Sequence, residues 1–305
     1  MSARKILLLG KNGQVGWELQ RALAPLGDVV ALGSAEADFR NPAQVREQVL
    51  ALRPDVIVNA AAHTAVDRAE SEPELARALN ATTPGAIAEA ARSLGALLVH
   101  YSTDYVFDGS GETARDEDAA TAPLSVYGRT KREGEVLIQE RAGAYLIFRT
   151  SWVYAARGGN FAKTMLRLAK ERDTLTVIAD QHGAPTGAEL IADVTAHALA
   201  QTLADTGKSG LYHLVAGGET TWNGYARFVL AQAQAAGVAL KAGPDAVAAV
   251  PTSAFATPAA RPLNSRLSTE RLQKTFGLVL PQWQAGVERM SVSYTHLTLP
   301  TKRIV

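Results

Sequence analysis

The start of the chain sets the tightest limits on its fold. Ile6-Leu7-Leu8-Leu9 is a short unbroken apolar run, the pattern of a strand buried on both faces. It ends at Gly10, and Gly10-Lys11-Asn12-Gly13-Gln14-Val15-Gly16 then places glycines at G-x-x-G-x-x-G spacing. Val15 to Leu26 continues with apolar residues at helical spacing. Strand, glycine turn and helix in direct succession open an α/β fold. The alternation repeats. Val29–Leu32, Asp55–Asn59, Ala96–Tyr101 and Leu146–Phe148 read as strands, and Pro42–Leu52, Pro73–Leu94 and Val126–Glu140 as helices. Asn41 is a natural N-cap, with Pro42 at the first helical position. Such alternation predicts a Rossmann-type, doubly wound parallel sheet.

Beyond Arg149 the regularity weakens. Helices are expected over Asn160–Lys170, Gly187–Leu203 and Trp222–Ala236, and strands over Thr176–Ile178 and Leu211–Val215. Ala242–Pro262, rich in Ala, Pro, Thr and Ser, reads as loops. Residues 1–150 are thus expected to form a dinucleotide-binding Rossmann domain, recruiting later segments if the sheet extends. Residues 151–290 form a smaller C-terminal α/β substrate-binding region. The last stretch, SVSYTHLTLPTKRIV from Ser291 to Val305, has neither period and is expected to be disordered or foreign to the domain.

Composition excludes several classes. With 31 basic and 30 acidic residues the net charge is +1, without the basic excess of a nucleic-acid binder. There are no cysteines, hence no disulfide and no thiolate chemistry. No leader pattern precedes the first strand, and no apolar run reaches the ~18 residues of a membrane span. A cytoplasmic location is the expectation.

The glycine turn has a chemical reading. Glycines there allow a tight turn, close backbone approach to a pyrophosphate and close helix packing, and the helix start offers N–H groups to phosphate. Gly10, Asn12, Gly13, Gln14, Val15 and Gly16 are the candidate cradle for NADPH or NADH. The second strand is followed by Gly33-Ser34 rather than by the acid that would hold a ribose hydroxyl, which leaves room for a 2′-phosphate and favours NADPH. Asp38 and Phe39 are candidates to meet the adenine. Arg40 is either a phosphate partner or an exposed charge. After the third strand, Asn59-Ala60-Ala61-Ala62-His63-Thr64 offers small side chains where a flat cofactor passes. His63 is either a ligand contact or a satisfied loop histidine.

The fourth strand ends in Tyr101-Ser102-Thr103-Asp104, and Tyr127-Gly128-Arg129-Thr130-Lys131 opens a helix. Tyr and Lys four apart share a helix face. A free phenol has a pKa of ~10, and an ammonium nearby lowers it. Reduction of a ketone leaves an alkoxide that needs a proton, and a hydroxyl from Ser102 or Thr103 can orient the carbonyl. Alone, Tyr127 and Lys131 would be an ordinary surface pair; their place after the glycine turn and a hydroxyl-rich strand end makes them candidates for catalysis.

These features, in this order, resemble the extended short-chain dehydrogenase/reductase superfamily. GKNGQVGWELQ from Gly10, NAAAHTAVDRAE from Asn59, HYSTDYVFDG from His100, PLSVYGRTKREGE from Pro123, FRTSWVYA from Phe148, DQHGAPTGAELIAD from Asp180 and RPLNSRL from Arg261 are similar to the dTDP-4-dehydrorhamnose reductase family, over about residues 4–290. The resemblance implies reduction of the C4 ketone of dTDP-4-dehydro-β-L-rhamnose by NAD(P)H. The product, dTDP-β-L-rhamnose, is a precursor of cell-surface polysaccharides such as O-antigen. It implies Tyr127 as proton donor, Lys131 on the nicotinamide ribose, Thr103 as hydroxyl partner with Ser102 competing, and Asp104 beside the substrate. Ala62, His63, Thr64 and Tyr101 would line the cofactor. Trp152 would contact the sugar, Arg261 and Asn264 the nucleotide, and Trp17 and Trp222 would be packing residues. It further implies a homodimer, in some members with interfacial Mg²⁺, for which Glu18 and Glu189 are the matching acids. The tail from Ser291 departs from the family pattern. Alternatives are a dTDP-sugar ketoreductase of other stereochemistry and a non-catalytic regulatory subunit.

Overall fold

The computed structural model describes residues 4–298. At its centre is a parallel sheet of six strands: β1 (Lys5–Leu9), β2 (Asp28–Leu32), β3 (Val56–Asn59), β4 (Leu97–Thr103), β5 (Ala144–Thr150) and the strand Gly210–His213. Their order across the sheet is Gly210–His213, β5, β4, β3, β1, β2. The chain winds to one side of β1 for β2 and to the other for β3. The crevice between β1 and β3, at the strands' carboxyl ends, is therefore the topological switch point where ligands bind in such sheets.

Alternate residues of each strand feed two cores, because side chains in a strand point to opposite faces. Ile6, Leu8, Val56, Val58, Val99, Leu146 and Phe148 point to one face, against Leu19 and Leu23 of α1 (Gln14–Leu23) and Ile191, Ala198 and Leu199 of the helix Ala188–Ala204. Leu7, Leu9, Ile57, Leu98 and Ile147 point to the other, against Val45, Val49, Ile87, Ala91 and Ile138. Each Val, Leu, Ile or Phe side chain among them contributes roughly 1.5–3 kcal/mol on burial. The helix Ala188–Ala204 and the strand Gly210–His213 lie beyond residue 150 in the chain yet complete this first core and its sheet.

The expected helix over Pro73–Leu94 is interrupted. Pro73–Arg77 is followed by a π-turn at Ala78–Thr82 and then by Thr83–Leu94. Pro84 has no N–H for the Asn80 carbonyl, and the wider turn absorbs the loss. Gly134 packs so tightly on that carbonyl that a Cβ there would lie 2.1 Å from it.

A second core joins Tyr154, Met165, Leu166, Leu175, Val177, Tyr225, Val229, Leu230, Trp283 and Val287. These residues come from Val153–Tyr154, Phe161–Glu171, Leu175–Ile178, Trp222–Ala235 and Trp283–Thr298. Leu175–Ile178 pairs in parallel with Val247–Val250, a strand inside the segment expected to be loop. Val-Ala-Ala-Val lacks the apolar alternation that marks a strand, and its partner supplies the order. The helix Glu270–Phe276 was not anticipated either. The stretch from Ser291 was expected to be disordered or foreign to the domain; the final helix continues into it as far as Thr298, which bears on order and not on origin, and the Ser291 hydroxyl donates to the Val287 carbonyl. Residues 299–305 of that tail lie outside the described residues.

Candidate active site

The glycine turn is shaped by contact. Gly10 sits at φ +89°, and a Cβ on it would lie 2.7 Å from the Ala61 nitrogen. A Cβ on Gly16 would lie 2.0 Å from the Gly10 carbonyl oxygen. Gly13 is different: a Cβ there would meet the Gly10 oxygen at an ordinary 3.5 Å, so its smallness serves space rather than packing. The start of α1 carries no side-chain cap and no acid in its first turn, which leaves its N–H groups and dipole for an anion.

A cleft of about 600 Å³ opens over this turn, lined by Gly10, Asn12, Gly13, Asp38, Phe39 and Ala62 among others. Arg40 also lines it, but its guanidinium is clamped on Asp38, at 2.9 Å to Oδ1 and 2.7 Å to Oδ2. The acid missing after β2 is supplied from further on. Glu36 folds back, accepts from the Gly33 N–H at 2.8 Å and pairs with Lys11 at 2.6 Å. A second cleft of about 460 Å³ shares Gly13, Ala60 and Ala62 with the first. Its walls include Gln14, Val15, Thr64, Tyr101, Ser102, Thr103, Asp104, Tyr127 and Lys131. The adjoining clefts follow the carboxyl edge of the sheet and are lined with small residues and uncapped helix N–H groups, which fits an extended dinucleotide.

Tyr127 is held from several sides. Ser125 caps its helix (Val126–Arg141), accepting from the Gly128 N–H at 3.1 Å, and the Val126 N–H donates to Glu70 at 2.7 Å. Gly128 lets the helix approach the Tyr105 carbonyl, where a Cβ would stand at 2.2 Å. The Tyr105 ring meets Tyr127 edge-on at 5.6 Å. Burial pushes the Tyr127 phenol up to about 12; the Thr103 hydroxyl beside it pulls it partly back, and Asp104 pushes it up. The expected lowering by Lys131 is not what this geometry gives. The Lys131 ammonium nitrogen is drawn instead to the Tyr101 carbonyl at 2.6 Å and to His100 Nε2 at 3.1 Å. Burial lowers Lys131 to about 8, opposed by Glu135. The Thr103 hydroxyl donates to Asp104 at 2.9 Å, whereas Ser102 Oγ is buried without a protein partner. Burial raises Asp104 to about 6, against hydrogen bonds from Ser265 and Thr103.

Known proteins share this architecture and sequence. The profile of the RmlD substrate binding domain family matches residues 4–296. The dTDP-4-dehydrorhamnose reductase of Salmonella typhimurium is 62% identical over 289 residues, covering 93% of this chain and 96% of that protein. This chain belongs to the dTDP-4-dehydrorhamnose reductase family. The Escherichia coli K12 member is 60% identical over 93% of this chain and 96% of its own length. The crystal structure of the Bacillus anthracis reductase in complex with NADP superposes with a TM-score of 0.86 at 36% identity, covering 96% of this chain and 100% of that one. A Thermus thermophilus UDP-glucose 4-epimerase, at 21% identity and a TM-score of 0.75, shares the fold.

The family resemblance had also singled out residues that the structure distributes unevenly. Trp152 lines the second cleft with its backbone at φ +49°, and its indole stacks on that of Trp222 at 3.8 Å. Trp222, expected to be a packing residue, therefore forms part of the cleft wall, with its Nε1–H donating to Gln181. Trp17 is not buried packing either: it is exposed, under the Arg157 guanidinium at 3.7 Å. Tyr101 contributes its backbone, since its phenol turns away to Thr195 at 2.8 Å.

His63 lines neither cleft. Its backbone N–H and carbonyl are held by the Asn80 amide at 2.8 and 3.1 Å, and its ring faces Glu72. Arg261 and Asn264 also lie outside both clefts. Arg261 pairs with Asp67 at 2.6 Å, and the buried Asn264 amide ties the loop at Thr113. Glu18 is raised first by burial and then by Glu189, so the two acids are neighbours, but Glu189 pairs with Arg289 at 2.9 Å. Among the described residues no group of three or more His, Asp or Glu side chains able to hold a metal ion forms. No helix among them is long and apolar enough to cross a membrane. The sequence reading missed Asn80, Asn59 and His100, and also Thr150 and Ser151, which line the second cleft. The π-turn that aims Asn80 had one signal, Pro84 inside a helical pattern.

Proposed function

We propose that the chain reduces the C4 ketone of dTDP-4-dehydro-β-L-rhamnose to dTDP-β-L-rhamnose with NADPH or NADH. The observation that carries this reading is the Tyr127 phenol beside the Thr103 hydroxyl, in a cleft adjoining the glycine-turn groove. Gly10, Asn12, Gly13, Asp38 and Phe39 hold the adenosine and pyrophosphate, while Thr64, Tyr101 and Lys131 face the nicotinamide end. A bound nicotinamide cofactor supplies hydride to the ketone carbon. Tyr127, un-ionised at neutral pH, carries the proton that the new C4 oxygen requires. Thr103 shares a hydrogen bond with the reacting oxygen and fixes the phenol. Lys131 replaces the proton that Tyr127 gives up. Trp152 and Trp222 form an apolar wall against the sugar.

The Bacillus anthracis reductase was solved with NADP, which favours NADPH as one acceptable cofactor here. Glu36 at the end of β2 favours NADH alongside it, since a carboxylate there suits a ribose hydroxyl better than a 2′-phosphate. The test is dTDP-4-dehydrorhamnose with each cofactor, followed optically, with the product's C4 configuration assigned by NMR. Cofactor oxidation yielding the rhamnose configuration is expected; the epimeric sugar, or no oxidation with either cofactor, overturns the reading.

A further inference from the structure

Behind Lys131 lies a buried chain of three side chains whose hydrogens can be arranged in one consistent way. Asn59, at the end of β3, accepts the Ala61 N–H on Oδ1 at 3.1 Å. That contact fixes which way the amide points, so Asn59 Nδ2 faces His100 Nδ1 at 3.1 Å as a donor. His100 Nδ1 must then accept, and a neutral imidazole that accepts on Nδ1 carries its hydrogen on Nε2. His100 Nε2 faces Lys131 Nζ at 3.1 Å. An ammonium there would set donor against donor. A neutral amine accepts the Nε2–H on its lone pair and still donates to the Tyr101 carbonyl at 2.6 Å. Protonating His100 does not resolve the conflict, because complete burial and the neighbouring Lys131 hold it well below its ordinary range.

We infer that His100 is a positioning residue for Lys131: Asn59 fixes it as the Nε2–H tautomer, whose hydrogen opposes those of the Lys131 ammonium and is donated to the Lys131 lone pair once a proton has been given up. The consequence rests on the proposed function, in which Tyr127 gives its proton to the substrate oxygen and Lys131 replaces it. When an N–H bond of the Lys131 ammonium breaks, the proton passes to the phenolate and the electron pair stays on Nζ of the neutral amine. His100 Nε2–H then meets that lone pair from behind. The charged neighbours of Lys131 do not undo this. Glu135, one turn along the same helix, favours the ammonium, but its carboxylate is clamped by Arg149 of β5 at 2.8 and 2.7 Å. Tyr127, on the same helix, lines the same cleft, and His100 on β4 faces the Lys131 nitrogen.

The test is ¹⁵N NMR of histidine-labelled full-length protein between about pH 6 and 9, with His100 assigned by loss of its signal in His100→Phe. A neutral ring protonated on Nε2 throughout is the expected result. A ring protonated on Nδ1, or an imidazolium, overturns the inference, whatever the activity of Tyr127 variants. Asn59→Asp provides a second reading. A carboxylate that still accepts from Ala61 also accepts from His100 Nδ1–H, which frees Nε2 to accept from the Lys131 ammonium. The tautomer should reverse, and the alkaline limb of the kcat profile should move up by about one pH unit or more. An unchanged tautomer in Asn59→Asp overturns the account of what sets it. If Asn59→Asp fails to fold, the wild-type tautomer still decides. An active Tyr127→Phe enzyme would remove the catalytic reading and leave the tautomer standing, so the two failures are distinguishable.

Discussion

Asp104 is a residue that the site keeps at a cost in stability. Its carboxyl is buried at the end of β4, and burial raises it from 3.8 to about 6. A raised carboxyl means that the folded state holds the proton more tightly than the unfolded chain does. Below about pH 4 both states are protonated, and the group carries no penalty. Between about pH 4 and 6 the unfolded chain ionises while the folded one resists, so stability falls as pH rises. Above about pH 6 the penalty is complete. A shift of about two units, at about 1.4 kcal/mol each, comes to about 3 kcal/mol. Asp104→Asn keeps an acceptor for the Thr103 hydroxyl, 2.9 Å away in the parent, and removes the ionisation. Urea unfolding of both proteins at matched m-values should show the variant more stable by about 3 kcal/mol at pH 8. The gap should close as the pH falls to about 4. A variant equal to or weaker than the parent at pH 8, or a gap independent of pH, would refute the assignment of the strain to an ionised Asp104.

Other perturbations have defined outcomes. Glu135→Gln leaves the buried Arg149 guanidinium without its carboxylate, and thermal or urea unfolding should register a loss of about 3–5 kcal/mol. Asn80→Ala strands the His63 N–H and carbonyl that its amide now satisfies. It should cost about 1–3 kcal/mol of stability, and isothermal titration should show weaker cofactor binding, because the Ala62–Thr64 turn loosens.

Much of the sheet could be read from the sequence because its strands are buried on both faces and appear as unbroken apolar runs. The glycine turn was equally plain, since Gly10 and Gly16 each stand where a Cβ would strike backbone. Tyr127 and Lys131 could be placed by helix period, but their electrostatics could not. The partners that hold Lys131, namely His100 and the Tyr101 carbonyl, come from a strand some thirty residues away. The relation of Trp152 to Trp222 was hidden for the same reason, as was the turn of His63 toward Glu72, which depends on Asn80 and a π-turn. The strand Val247–Val250 lacks a periodic signature and exists through its pairing with Leu175–Ile178.

The account's central claim is that the Tyr127 hydroxyl delivers the proton to the reduced ketone. Tyr127→Phe removes one oxygen and keeps the ring that packs edge-on against Tyr105. Turnover of dTDP-4-dehydrorhamnose, measured with cofactor binding by isothermal titration on the same preparation, tests the claim directly. The expected result is a kcat lower by roughly 10²–10⁴-fold with cofactor affinity retained. A kcat within a few-fold of the parent would contradict it.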